Sequence, residues 1–477
     1  MTAGDLQALL PLLIVAGAAV LLMLAVAAWR NHALAVTISL AGLAAAFASL
    51  WVAFWGSPRR VTSLLIVDRY SLFYFGLMLA GCFAVVLLAY GYFKTRGDHP
   101  EEAYILLLLA TLGSCVLAAS SHFASFFLGL EILSVSLYAL NAYLFDRRLP
   151  LEAGIKYLIL GASSSAFLLF GIALVYAETG TMEFGRYTGP QGAAGPMLAA
   201  GIALIITGIG FKLAVVPFHM WAPDIYQGAP APVAAFVASV SKGGMFALVF
   251  RFFSMSGMHD SRPVWLIFVI IAIASMVAGN LLALLQNNVK RILAYSSIAH
   301  MGYVLVAFLA GGALGIEAAT FYLVAYFVTI IGAFGIVTVI SGVDADADNL
   351  ADFRGLFWQR PFLAAVFTAM LLSLAGIPLT AGFLAKFYVV TAGASSSVWL
   401  LVFTLVITSV LGLYYYLRIL VALYSSPSDS AEKLRLEFPA ASVMGGAVLL
   451  VLVALLVWFG VYPGPMVDLI KASVSGV

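Results

Sequence analysis

Stretches of about twenty apolar residues, punctuated by charges, Gly, Pro or Asn, return fourteen times along this chain. They fall near 6–28, 33–55, 71–93, 103–120, 123–144, 154–177, 197–216, 230–253, 263–285, 292–310, 316–341, 361–392, 398–424 and 440–461. A helix that crosses the roughly 30 Å hydrocarbon core of a bilayer needs about 20 such residues. The pattern therefore predicts an all-α polytopic membrane protein of about 14 transmembrane helices. Only 44 of the 477 residues are Asp, Glu, Lys or Arg, where an average soluble chain of this length carries about 120, so too little polar surface exists to coat a soluble enzyme. Runs such as Ile202 to Ile206 and Leu449 to Val457 lack the alternating polarity of a β-barrel strand. A net charge of +2 without a basic run excludes nucleic acid as a partner. Cys82 and Cys115 are single and no CxxC occurs, so neither a cluster, a zinc site nor a c-type haem is indicated. Residues 6–28 lack a basic n-region, and the first helix is expected to stay in place.

An even number of spans puts both termini on one side. Loops after odd-numbered spans hold eleven Lys or Arg (Arg30, Lys94, Arg96, Arg147, Arg148, Lys290, Arg291, Arg354, Arg360, Lys433 and Arg435) against seven on the other side. The positive-inside rule then places both termini on the periplasmic or outer side of a bacterial cytoplasmic (inner) membrane. The acidic stretch Asp344, Asp346, Asp348, Asp352 falls on the cytoplasmic side and reads as a solvated loop.

Two segments break the apolar pattern at membrane depth. One runs from Gly208 through Lys212 and Pro217 to His219, the other from Leu374 through Pro378 to Lys386. Proline removes a backbone donor and clashes with the preceding turn, so each helix is expected to split. Paired broken helices, one in each half, are the mark of a transporter built from repeats. The expected organisation is three N-terminal transmembrane helices in 1–102, a five-helix repeat in 103–262, a second, inverted five-helix repeat in 263–427, and a C-terminal transmembrane helix in 428–477.

Five charges cannot reach a loop: Glu131, Lys156, Lys212, Lys242 and Lys386, with His219, Lys290 and His300 near helix breaks or ends. A Lys at the bilayer centre costs at least about 2.5–3.5 kcal/mol on insertion scales, so these side chains must face protein or trapped water, with snorkelling to an interface the alternative for Lys156 and Lys290. Glu131, midway along the fifth span, must be protonated or paired, with Lys212 and Lys156 as the nearest candidates. One Glu cannot neutralise four Lys. Desolvation favours the neutral amine of a lysine and a nearby carboxylate favours the ammonium, so a buried Lys can hold or release a proton as its partner moves; Arg cannot. A row of Lys without Arg points to moving protons. His219 and His300 can bridge transfer gaps, the latter beside the hydroxyls of Tyr295, Ser296 and Ser297; each can equally be a hydrogen-bonded core residue.

At these residues the chain resembles the antiporter-like membrane subunits of respiratory complex I, the proton-pumping NADH-quinone oxidoreductase. The segments that carry the resemblance run from Lys212 to Val233 (KLAVVPFHMWAPDIYQGAPAPV), from Val289 to Tyr303 (VKRILAYSSIAHMGY) and from Leu371 to Phe387 (LLSLAGIPLTAGFLAKF), together with Glu131. PFHxWxPD is shared with sodium-proton antiporter subunits, whereas YQGAPAPV and Lys386 point to the bacterial subunit N branch. The resemblance implies that Glu131 and Lys212 are the pair of an input half-channel. It further implies that Lys242 is the central lysine and Lys386 the terminal carrier on the broken twelfth helix. Lys156, His219, Lys290, Tyr295 and His300 then belong to a polar chain along the midplane. It also implies protons moving outward, driven by quinone reduction in partner membrane-arm and peripheral-arm subunits. NADH, FMN, iron-sulfur clusters and quinone would sit on those partners, with no cofactor or metal on this chain. The intramembrane charges alone also permit a monovalent cation/proton antiporter subunit, or a scaffold with static charges.

Overall fold

The computed structural model describes residues 2–96, 99–185, 187, 195–426 and 443–475. Arg186, Lys433, Arg435 and the expected boundary at 427/428 lie outside the described residues. The chain begins with α1 (Ala3–Ala28) and α2 (His32–Trp55), a hairpin of β1 (Arg59–Val61) and β2 (Leu65–Val67), and α3 (Arg69–Lys94). Then come α4 (Glu101–Ala119), α5 (Phe123–Asn141), α6 (Arg148–Thr179), α7 (Pro196–Leu213), α8 (Trp221–Gly228), α9 (Ala231–Phe236) and α10 (Lys242–Ser256). The second half holds α11 (Arg262–Leu284), α12 (Val289–Ala310), α13 (Gly312–Ile340), the short α14 (Leu356–Gln359), α15 (Pro361–Ala375), α16 (Ala381–Ser395), α17 (Trp399–Tyr424), α18 (Val443–Val461) and α19 (Gly464–Val474).

Thirteen helical runs are long and apolar enough to cross a membrane, with Ala231–Ser256 counted as one; the half-helices α15 and α16 make the fourteenth crossing. The expected spans recur with shifted ends: α6 starts six residues earlier than predicted and α5 stops three residues earlier. Two elements were not predicted. The β1–β2 strands are three residues each, too short for a period-two pattern to register. The terminal α19 follows α18 after two residues and mixes Asp468 and Lys471 with apolar positions, so it does not read as a span.

Three spans, Ala231–Ser256, α12 and α13, are buried throughout their most apolar stretches and form the centre of the bundle. Small residues let the surrounding helices approach: a Cβ on Gly171 would lie 2.7 Å from the Gly201 carbonyl oxygen, so α6 and α7 touch backbone to backbone. On the face where α3, α5, α11 and α13 end, the connecting loops meet. Arg147 donates to the Asp344 and Val343 carbonyls, and the Val289 amide to the Asp348 carbonyl. The acidic stretch is therefore only partly a solvated loop, because Asp346 is drawn into this junction. On the opposite face Asp68 caps α3 and takes two hydrogen bonds from the buried Arg251 of α10, at 2.8 and 2.9 Å.

Candidate functional site

Both expected breaks are present. α7 ends at Leu213 and the next residue, Ala214, turns into the left-handed region at φ +56°, which costs a residue with a Cβ about 1–2 kcal/mol. α15 ends at Ala375, and Gly376 takes φ +87° where no such penalty applies. Pro217 and Pro378 lie in the linkers to α8 and α16. The groups freed by the first break find partners, since the Val216 amide donates to Ser275 Oγ and Trp221 Nε1 to the Phe211 carbonyl, both at 2.9 Å. His219 does not: it is buried, and neither ring nitrogen has a partner among the described residues.

Lys212 occupies the last turn of α7, 4% exposed, and donates to Ser134 Oγ at 2.7 Å, which in turn donates to the Leu130 carbonyl. The ammonium lies 5.4 Å from the Tyr157 ring centre and 5.7 Å from that of Tyr138. Glu131 stands one turn before Ser134 on α5 and accepts from Ser165 Oγ at 2.5 Å. The structure brings Glu131 and Lys212 to one place without joining them in a direct ion pair; a serine is bonded to each. Glu131, Ser134, Tyr138 and Asn141 recur at spacings of 3, 4 and 3, which puts them on one face of α5. The Tyr138 hydroxyl and both amide atoms of Asn141 are buried without hydrogen-bond partners among the described residues. Buried polar groups are almost always satisfied by protein or water, so this stripe has the chemistry of a wet path from the loop face to Lys212.

From Lys212 the site continues through aromatic rings. Tyr157 packs on Trp221 at 4.8 Å and Trp221 on Tyr226 at 6.4 Å, and Tyr226 lies 5.8 Å beneath the ammonium of Lys242. Lys242 is 1% exposed and directly follows a π-turn at Val237–Ser241. Such turns insert one residue and re-aim those after it. Among the described residues its ammonium has one hydrogen-bond partner, Ser297 Oγ at 2.5 Å, which also receives Tyr326 Oη at 2.6 Å. His300, one turn further along α12, shares a hydrogen bond with Tyr322 Oη at 2.7 Å and a longer one with Tyr416 Oη at 3.3 Å; Tyr416 in turn bonds Ser296. Tyr303 packs edge to face with His300, ring centres 5.5 Å apart, and its ring centre lies 5.4 Å from the ammonium of Lys386. Tyr295, on the same helix, is buried but has no side-chain partner among the described residues.

The second break explains Lys386. Its ammonium donates to the Leu374 carbonyl at 2.9 Å, the Ala375 carbonyl at 2.8 Å and Ser409 Oγ at 2.6 Å. Those two carbonyls lie at the C-terminus of α15, where the helix dipole favours a cation. Lys212, Lys242 and Lys386 are thus all buried, and none forms an ion pair with a carboxylate among the described residues.

Lys290 and Lys156 differ. Lys290, 1% exposed, donates to Asp346 Oδ2 and to the Ala229 carbonyl, both at 2.7 Å. Asp346 also accepts from Arg96 at 3.0 Å and Tyr92 Oη at 2.8 Å. Burial pushes this carboxyl up, but Lys290 and Arg96 outweigh it and hold it below the usual aspartate value. Lys156 is not held away from solvent or lipid as the sequence suggested: its side chain is 42% exposed and pairs with Glu152 and Asp224, each at 2.8 Å. It begins its helix only eight residues earlier, which places its head near the loop face, where Asp224 also pairs with Arg291 at 2.7 Å.

Several site residues escaped sequence reasoning. Tyr226, Tyr303, Tyr322, Tyr326 and Tyr416 count as apolar in a hydropathy window, although their hydroxyls and ring faces connect the lysines. Asp346 was hidden among three other aspartates. The Glu131, Ser134, Tyr138, Asn141 stripe carried a readable signal in its helical spacing.

Fourteen crossings, two broken helices and three buried lysines without carboxylate partners define a polytopic membrane protein of the ion-translocating, antiporter-like type. Residues 120–412 match the family described as NADH:quinone oxidoreductase/Mrp antiporter, TM, and the chain belongs to that family. It is 51% identical to NADH-quinone oxidoreductase subunit N of Nitrosospira multiformis, over 99% of this chain and 97% of that one. A chain of respiratory complex I from Thermus thermophilus, solved with bound aureothin, superposes with a TM-score of 0.83 at 33% identity, covering 96% of this chain and 98% of that one. A chain of the Mrp complex from Dietzia sp. DQ12-45-1b shares the fold, with a TM-score of 0.86 at 20% identity over 100% and 97% of the two chains.

Proposed function

We propose that this chain is the subunit N type of antiporter-like subunit in the membrane arm of a proton-translocating NADH-quinone oxidoreductase. Its part in that enzyme is to move protons across the bilayer while quinone is reduced elsewhere in the complex. The observation that carries this reading is the row Lys212, Lys242, Lys386, each buried and each bonded only to hydroxyls or carbonyls. A static scaffold would neutralise buried cations with carboxylates, as this chain does for Lys290 and Arg251. Protons are proposed to enter along the α5 stripe to Glu131 and Lys212 and to pass through Lys242, with His219 at the first break. They then reach Lys386 by way of Ser297, Tyr326 and His300. Lys290 and Tyr295 flank this route on α12. Lys156, paired at the loop face, holds α6 to α8 at the mouth.

The division into five-helix units of opposite orientation, 103–262 and 263–427, fits one break and one terminal lysine in each. The termini are proposed to lie outside, with Arg96, Arg147, Lys290 and Arg291 on the cytoplasmic face. NADH, FMN, iron-sulfur clusters and quinone are assigned to partner subunits, because Cys82 and Cys115 are the only cysteines and stand on separate helices. The test is proton pumping by the assembled complex during NADH oxidation. Lys212→Ala and Lys242→Ala are expected to reduce it strongly at equal complex content. Normal pumping by both variants, or cation-driven proton exchange by the chain without redox partners, would overturn the reading.

A further inference from the structure

Away from the lysine row, α2, α3, α13, α18 and α19 enclose a laterally open cavity of about 790 Å³. Its lining follows α3 from Arg69 to Leu87, nineteen residues spanning about 27 Å of helix, so it runs along the membrane normal for nearly the depth of the hydrocarbon core. The walls are apolar except for Arg69, at the start of α3, and Ser473 of α19. Arg69 is exposed and its guanidinium lies 5.2 Å from the Phe54 ring centre. It has no ion pair among the described residues. The other arginines nearby on this face are all neutralised: Arg59 by Asp5, Arg60 by Glu183 and Arg251 by Asp68. Trp51 and Trp55, exposed at the same end of α2, mark the depth at which aromatic belts meet lipid headgroups.

We propose that this groove binds one phospholipid of the bilayer, its phosphate on Arg69 and its acyl chains along α3. An amphiphile with one anionic end and an apolar remainder is the complement of a groove whose lining, among the described residues, carries Arg69 as its one charge and is otherwise apolar but for Ser473.

The experiment uses the whole complex in native membranes, with photo-reactive benzoylphenylalanine in place of Ala80, an exposed position on the groove wall. Illumination followed by mass spectrometry of the chain is expected to give a phospholipid adduct. Its yield should fall several-fold in Arg69→Glu and persist in Arg69→Lys, with complex content unchanged because Arg69 makes no structural pair. An adduct to a partner polypeptide, or a phospholipid adduct equally abundant with Glu, Lys and Arg at position 69, would overturn the proposal.

Discussion

Replacing Lys242 with Met removes the ammonium while keeping an unbranched side chain of similar length, and separates a structural lysine from a working one. Lys242 is 1% exposed, with a single hydrogen bond and no ion pair. Holding a cation there costs at least about 2.5–3.5 kcal/mol on insertion scales. The bond to Ser297 returns about 1.5–3 kcal/mol, as charge-assisted bonds do. Met restores the first term and forfeits the second, and it orphans nothing, because Ser297 keeps Tyr326 as its partner at 2.6 Å. The net change therefore lies between a loss of about 0.5 and a gain of about 2 kcal/mol. For 477 residues that corresponds to a thermal midpoint essentially unchanged or raised by about 1–2 °C. Proton pumping, read by a pH-sensitive dye in vesicles oxidising NADH, should be lost at the same time. A midpoint lowered by several degrees with pumping per intact complex unchanged would show that Lys242 is a structural cation, and the argument from unpaired lysines would fail with it.

The contrasting case is Asp346→Asn, which leaves Lys290 and Arg96 buried without a counter-charge; about 3 kcal/mol of destabilisation is expected. Combined with Lys290→Met the loss should fall short of the sum of the single variants by about 1 kcal/mol or more, measurable as a double-variant cycle in the thermal midpoint of the complex. Gly376→Ala is expected to impair pumping while the complex still assembles. A Cβ there would sit 2.9 Å from Lys386 Cδ and 3.2 Å from its Nζ, at a φ of +87° that disfavours Ala; wild-type pumping by this variant would refute the placement of the Lys386 head. A pH test falls on Asp68, outside the spans. Burial pushes its carboxyl up, but the hydrogen bonds from Arg251 outweigh that and hold it below the usual value. Its contribution is then fully present above the unfolded value near pH 4 and is lost as pH falls through the lowered value. The difference in thermal midpoint between wild type and Asp68→Asn should be constant above about pH 5 and shrink below about pH 4; a difference that grows on acidification would reverse the sign of this reasoning.

The parts of the site that could be read in the sequence are those that are expensive in a bilayer. A lysine or a proline in an apolar run violates a strong rule, and Lys212, Lys242, Lys386, Pro217 and Pro378 stand out for that reason. What could not be read is what makes those violations tolerable. The carbonyls that hold Lys386 belong to the backbone of α15, and no residue type encodes them; they exist because Gly376 ends the helix there. The π-turn before Lys242 spans five residues of ordinary helix-compatible composition, so only the packing of a fully buried span reveals it. Lys156 was misplaced for the complementary reason. Its neighbours in sequence are apolar, but α6 begins at Arg148, so the head lies within reach of Glu152 and of Asp224 on another helix. Asp346 was misread because four aspartates within nine residues have the composition of a solvated loop, and the feature that distinguishes this one is a meeting of Arg96 and Lys290 from segments far apart in the chain. The same contrast sorts the buried cations into two kinds. Where a carboxylate was supplied from a distant element, as for Lys290 and Arg251, the cation fixes how helices and loops join. Where none is present among the described residues, as for Lys212, Lys242 and Lys386, no carboxylate fixes the charge, which is what the proposed proton-carrying role requires.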